Sequence, residues 1–158
     1  MAGLPDGDRD RAASSTGVVA VAPELDEAVG FWLRRAVGIA DDLFGEVFAA
    51  YDISTQLYAI LMTIRHNPGC QPSTLSASLN ITPNNLVPHV AGLVSRGYVR
   101  RVSSSRDRRI KHLRLTAAGE EFARQLIRRH EEIQARLEDR MGAEKLKQLV
   151  DLLRLYCG

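Results

Sequence analysis

From Glu24 to Tyr51 apolar residues recur at intervals of three and four. Leu25, Val29, Trp32, Ala36, Ile39 and Leu43 form one row, with Leu33, Val37, Ala40, Phe44, Phe48 and Tyr51 beside it. That period predicts one long helix. Two adjacent apolar rows suit a helix that packs on its own domain with one row and on a partner with the other. A core that absorbs both rows is the alternative. Asp52-Ile53-Ser54 breaks the pattern, and Ser54 is placed to cap a helix over "TQLYAILMTIRH", with Leu57, Leu61 and Ile64 on one side and Tyr58 and Ile60 alongside. Asn67-Pro68-Gly69 then reads as a turn.

Two short helices follow. Gln71-Pro72 opens the first, since proline is tolerated at the first helical position. Asn80-Ile81 makes the joint, asparagine being tolerant of a left-handed backbone. Thr82-Pro83 opens the second, and Leu75, Leu79, Leu86, Val90 and Leu93 supply the buried side. Gly97 ends it, and "YVRRV" and "IKHLRL" alternate as two strands of a hairpin. Thr116 caps a helix running to about Met141, whose core side carries Phe122, Leu126, Ile133 and Leu137. Gly142 separates it from a last helix with Leu146, Leu149, Leu153 and Tyr156 on one side. The order α-α-α-α-β-β-α-α is mainly α, and it contains the helix, tight turn, helix unit that places a second helix in a DNA major groove.

Composition changes this picture little. A length of 158 residues, 45% hydrophobic and 25% charged, suits one globular domain of ordinary size. Residues 1–23 are polar, then weakly apolar, and read as a flexible tail rather than a secretion signal. No run of about 18 apolar residues occurs. Cys70 and Cys157 are far apart in sequence and read as reduced thiols of a cytoplasmic protein, a redox-sensing pair being the lesser alternative. His66, His89, His112 and His130 lack metal-ligand spacing, and no GxSxG elbow, phosphate loop, CxxC or HExxH is present. No enzyme, metal or cofactor is expected.

Charge placement is more informative. Net charge is only +2, yet Arg96 to Arg114 holds Arg96, Arg100, Arg101, Arg106, Arg108, Arg109, Lys111 and Arg114 against the single acid Asp107. Between Ile53 and Ser95 the one charged residue is Arg65. An almost neutral helix-turn-helix beside a basic hairpin leaves phosphate neutralisation to the hairpin. Ser103-Ser104-Ser105 is small enough for close approach, and arginines at a hairpin tip suit a narrow minor groove. Asp107 is placed to accept from Arg109 and fix its planar fork. Thr82, Asn84, Asn85 and His89 are the candidates for base contact, asparagine being able to pair with adenine N6 and N7. A solvated hairpin and ordinary first-turn asparagines are the plainer alternatives. Pro88, about six residues into the second helix, removes a backbone bond to Asn84 and predicts a kinked or locally widened helix.

"TQLYAILMTIRHNPGC", "GLVSRGYVRR" and above all "SSSRDRRIKHLRLTAAGEE" resemble the multiple antibiotic resistance regulator (MarR) family of bacterial winged-helix repressors. The D-x-R wing followed by L-x-L-T-x-x-G is the specific part, and the resemblance covers about Glu24 to Tyr156. It implies a winged helix-turn-helix lobe over residues 53–115, with dimerisation helices at 24–52 and 116–158. It further implies a homodimer on a pseudo-palindromic DNA operator, released by a small ligand such as an aromatic acid. By position Arg109 is the minor-groove arginine and Asp107 its holder, with Arg106, Arg108 and Lys111 around them. Asn84, Asn85 and His89 lie on the recognition helix, where Pro88 and the lack of basic residues depart from the family pattern. Trp32, Arg35, Tyr58 and His66 are candidates for the ligand site, although residues such as Trp32 and Tyr58 are more often core and one such as Arg35 more often a solvated helix residue. The family's peroxide-sensing branch has a cysteine near the start of the first long helix, which this chain lacks. A metal-sensing variant would have to draw on Asp41, Asp42 and His112. A winged-helix module for protein assembly is the alternative outside DNA binding.

Overall fold

The computed structural model describes residues 20–103 and 111–158. Its elements are α1 (Pro23–Asp26), α2 (Val29–Val47), α3 (Thr55–His66), α4 (Pro72–Ser78), α5 (Pro83–Ser95), β1 (Val99–Ser103), β2 (Lys111–Leu115), α6 (Ala117–Met141) and α7 (Ala143–Cys157). The order is the expected one except at the start, where the single long helix of 24–51 is replaced by two. The Trp32 indole Nε1 donates to the Asp26 carbonyl at 2.7 Å, which satisfies an acceptor left open where α1 ends. At its other end α2 stops at Val47, whose carbonyl accepts from Arg129 Nε at 2.9 Å.

The chain divides into two compact units, Met1–Ala36 and Val37–Gly158, rather than the single domain that length suggested. None of residues 20–36 is fully buried, so this segment contributes no core of its own. The second unit holds the core. Ile60, Leu61 and Ile64 of α3 meet Leu75 of α4, Leu86, Val90 and Leu93 of α5, Val99, Leu113, and Ala123, Leu126 and Ile133 of α6. Phe44, Val47 and Phe48 close it from the end of α2. Each such leucine or isoleucine stabilises the fold by about 1.5–3 kcal/mol on burial.

Local chemistry sets the element boundaries. Ser54 Oγ accepts from Leu57 N, Thr82 Oγ1 from Asn85 N and Thr116 Oγ1 from Gly119 N, each capping its helix. Asn80 makes the joint between α4 and α5 with φ of 49°. There the buried Ser76 hydroxyl donates to the Ile81 carbonyl, which ties the two short helices together. Beyond α5, Gly97 takes φ of 74° just past the C-cap Arg96. β1 and β2 pair antiparallel in the register Val99 with Leu115 and Ser103 with Lys111. Cys70 adds one bridge to Leu113, so the loop after α3 is pinned to the hairpin. Pro88 lies inside α5 without a break or a change of helix type, and the expected local widening is absent. The Asn84 carbonyl that it leaves without a donor belongs to an exposed residue, where water can serve it.

Candidate nucleic-acid interface

α5 carries no Asp, Glu, Lys or Arg, and neither does α4. Leu86, Val90 and Leu93 turn α5 towards the core, so at 100° per residue the opposite face is Asn84, Pro88, Ala91 and Ser95, with Val87 and Asn85 on its two edges. All six are exposed. Thr82 is exposed too, but its Oγ1 serves as the cap. His89 is half-buried on the flank nearer the core. The structure thus sets Asn84 at the middle of the outward face and His89 at its margin. Val87, 59% exposed, is an apolar residue at the edge of this face that is not among the candidates read from the sequence. Its spacing of one turn from Asn84, out of phase with Leu86, was the available signal.

The hairpin stem supplies charge. Arg100, Arg101, Lys111 and Arg114 are exposed, and the register places Arg100 directly across from Arg114. Like charges in that position repel, a cost that a polyanion would relieve. Among the described residues no carboxylate pairs with any of these four. The Arg114 guanidinium lies against Gly69, where an added Cβ would come within 3.2 Å of its Nη2. Lys111 Nζ donates to Ser103 Oγ at 2.7 Å, closing the stem at its last pair. Arg106, Asp107, Arg108 and Arg109 lie outside the described residues.

Arg96, at the C-cap of α5, donates through Nη1 to the Asp52 carbonyl and through Nη2 to the Asp52 carboxylate. The end of the outward-facing helix is thereby tied to the link between α2 and α3. Arg65 Nε similarly reaches Glu120 Oε2 at 3.0 Å, joining α3 to the first turn of α6. His112 Nδ1 lies 2.7 Å from the Gly69 carbonyl, holding β2 to the same turn.

The residues expected at a ligand site fall two in each compact unit. Trp32 and Arg35 belong to the first unit, where the Arg35 guanidinium stands 5.9 Å from the Trp32 ring centre and 6.0 Å from that of Phe31. Tyr58 and His66 belong to the second. Tyr58 is half-buried, stacked on His130 at 5.2 Å and edge-on to Phe44 at 5.8 Å. Burial raises the Tyr58 pKa and lowers that of His130. His66 is exposed and lines a shallow cleft with Met62, Arg65, Pro68 and Glu120, which Tyr58 does not share. Burial also raises the Cys70 thiol, which disfavours a reactive thiolate, and both cysteines are free. Asp41 accepts from Thr55 Oγ1 at 2.8 Å, and among the described residues no three His, Cys, Asp or Glu side chains gather to hold a metal.

Residues 53–111 match the MarR family model, which covers the helix-turn-helix and the first part of the hairpin just described. Over that stretch the chain is similar to the MarR family. It is 34% identical over 84 residues to the transcriptional repressor MprA of Escherichia coli K12, a match covering 52% of this chain. That stretch spans about half of MprA, 48% of its length. Over nearly the whole chain the fold is similar to that of CouR, a transcriptional repressor solved on a 23-mer DNA duplex. The TM-score is 0.79 at 27% identity, with 89% of this chain and 100% of that one covered. CouR bound to p-coumaroyl-CoA shares the fold at a TM-score of 0.78 and 23% identity, covering 85% of this chain and 95% of that one. The two-stranded hairpin takes the place of the wing in the winged-helix fold, and no described helix is long and apolar enough to cross a membrane.

Proposed function

We propose that the protein is a homodimeric, sequence-specific DNA-binding repressor of transcription, acting in the cytoplasm and released from its operator by a small ligand. One observation carries this reading: an uncharged, outward-facing helix stands next to a hairpin whose stem arginines have no carboxylate partner among the described residues. Backbone contacts give such a protein its affinity and register, and base edges give it sequence. Arg106, Arg108, Arg109 and Lys111 neutralise phosphate, Arg109 enters the minor groove and Asp107 aims it. Thr82, Asn84, Asn85 and His89 contact the major groove, with Asn84 central.

Dimerisation rests on α7. Leu149, Val150, Leu152, Leu153, Leu155 and Tyr156 are all exposed, Leu155 by 80% and Tyr156 by 69%, which a second copy would cover. Two copies present two wings and two recognition helices to a pseudo-palindrome. The effector is a small aromatic acid or its coenzyme A thioester, a class supported by the p-coumaroyl-CoA held by CouR.

Operator binding measured by fluorescence anisotropy across a salt series tests the reading. Affinity should fall steeply with salt and the footprint should show two half-sites about 10 base pairs apart. Arg109→Ala should weaken binding and flatten the salt slope by about one unit, with little change in stability. Binding that ignores DNA sequence and Arg109→Ala alike would favour the other reading, a winged helix that uses its basic hairpin on an acidic protein partner.

A further inference from the structure

The outward face of α5 is unusual in what it offers a major groove. Its centre is Asn84, Pro88, Ala91 and Ser95, and its edges are Val87 on one side and Asn85 on the other. A single exposed valine is ordinary on a protein surface. Here it lies 59% exposed at the edge of the outward face, next to Pro88 and Ala91, on an element followed by the basic side chains Arg100, Arg101 and Lys111, which have no carboxylate partner among the described residues. Those flanking charges select a polyanion as the occupant rather than an apolar protein surface. Within a major groove the common reader of guanine is arginine or lysine, and α5 has neither. The only apolar feature that the groove presents is the 5-methyl group of thymine.

We propose that Val87 is a specificity-determining residue that reads a thymine 5-methyl group, with Ala91 and Pro88 extending the same apolar strip. The proposal deepens the DNA-binding reading and rests on it. Asn84 and Val87 are three residues apart, about 4.5 Å along the helix axis at 1.5 Å per residue. Successive bases on one strand are about 3.4 Å apart, so the two side chains address neighbouring steps. Asn84 pairs with adenine through its amide, and Val87 packs its isopropyl group on the methyl of an adjacent thymine. Sequence is therefore read as A·T pairs through shape and methyl contact. An uncharged helix is then sufficient, because the hairpin supplies the phosphate attraction.

The test begins with the full-length protein and a random duplex library, from which bound sequences are selected. Each thymine of the selected half-site is then replaced singly by deoxyuridine, which removes the methyl group and nothing else. The expected result is that one or two positions per half-site lose about fourfold in affinity, the value of one buried methyl. Val87→Ala should lose a similar factor on the thymine operator and be indifferent to deoxyuridine at that position. Its melting temperature should not fall, because Val87 is exposed and alanine is the better helix former. Wild-type affinity within twofold at every deoxyuridine position overturns the proposal, as does a Val87→Ala variant that is as methyl-sensitive as the wild type. Failure to enrich any sequence would sink sequence-specific DNA binding itself, and the thymine assignment with it.

Discussion

Gly119, in the first turns of α6, rests directly on the backbone of Tyr98 at the entry to the wing. A Cβ placed there would stand 2.0 Å from the Tyr98 carbonyl oxygen. That carbonyl accepts from Thr116 N at 3.0 Å, so helix and strand are locked together by two contacts. In an open helix position glycine to alanine gains about 0.5–1 kcal/mol. Here the clash is with backbone, which cannot swing away, and overpacking of this kind costs about 1–3 kcal/mol or more. Gly119→Ala is therefore expected to destabilise the protein by about 2 kcal/mol net, read by urea denaturation. It should also weaken DNA binding, because the wing is displaced at its root.

Arg96→Ala removes the fork that ties the end of α5 to Asp52. The Asp52 side chain is 92% exposed, so the ion pair contributes only about 0.2–1 kcal/mol to stability. The bond to the Asp52 carbonyl persists in Asp52→Ala and is lost in Arg96→Ala. The arginine variant should accordingly be the less stable of the two, by about 1 kcal/mol. Lysine at position 96 should restore little, since one ammonium group lacks the planar pair of donors that spans both acceptors. Equal melting temperatures for the three variants would contradict this assignment.

The parts of the fold legible in the sequence are those decided locally. Ser54, Thr82 and Thr116 cap their helices because a hydroxyl three residues ahead of an open amide needs no tertiary help. Asn80 at the joint and Gly142 between α6 and α7 take positive φ, as the turns require. Contacts between distant residues were not legible: Arg96 reaches back 44 residues and Arg65 forward 55. Trp32 illustrates the difficulty, since it fits the apolar seam of one long helix by period. Its indole instead caps the Asp26 carbonyl, and the helix is broken there. At the candidate site the residue types were legible but not their order of prominence, because Val87 is assigned to the surface only once the phase of α5 is fixed by Leu86, Val90 and Leu93.

Pro88→Ala is expected to stabilise the protein. Proline in a helix interior costs about 3 kcal/mol relative to alanine, through the lost bond to the residue 84 carbonyl and the ring clash. Water access to exposed Asn84 reduces that cost, and the restriction that proline places on the unfolded chain offsets it by a further 0.4–1 kcal/mol or about that. A net gain of about 1–2 kcal/mol in denaturant unfolding is the outcome foreseen. Operator affinity should change with it, because residue 88 lies on the outward face of α5; an unchanged midpoint and unchanged affinity together would show that α5 tolerates the proline without penalty.

His130 gives the fold a pH dependence with a definite sign. Its ring lies flat on Tyr58, 5.2 Å between centres and 11° from parallel, and burial lowers its pKa. The folded protein therefore holds the neutral imidazole over a range in which the unfolded chain, titrating near 6.5, already binds a proton. Stability from this residue is complete above that value. It declines as the pH falls through about 6.5 and levels off once the pH is below the depressed folded value. The melting temperature should drop between pH 7 and pH 5 in the wild type. The remainder of the chain is common to both proteins, so the diagnostic quantity is the difference between wild type and His130→Gln. That variant should be less stable at pH 7.5, having lost the stacked ring, while its melting temperature changes less between pH 7 and pH 5. Parallel pH profiles for the two proteins would show that the His130 imidazole is as readily protonated in the folded protein as in the unfolded chain.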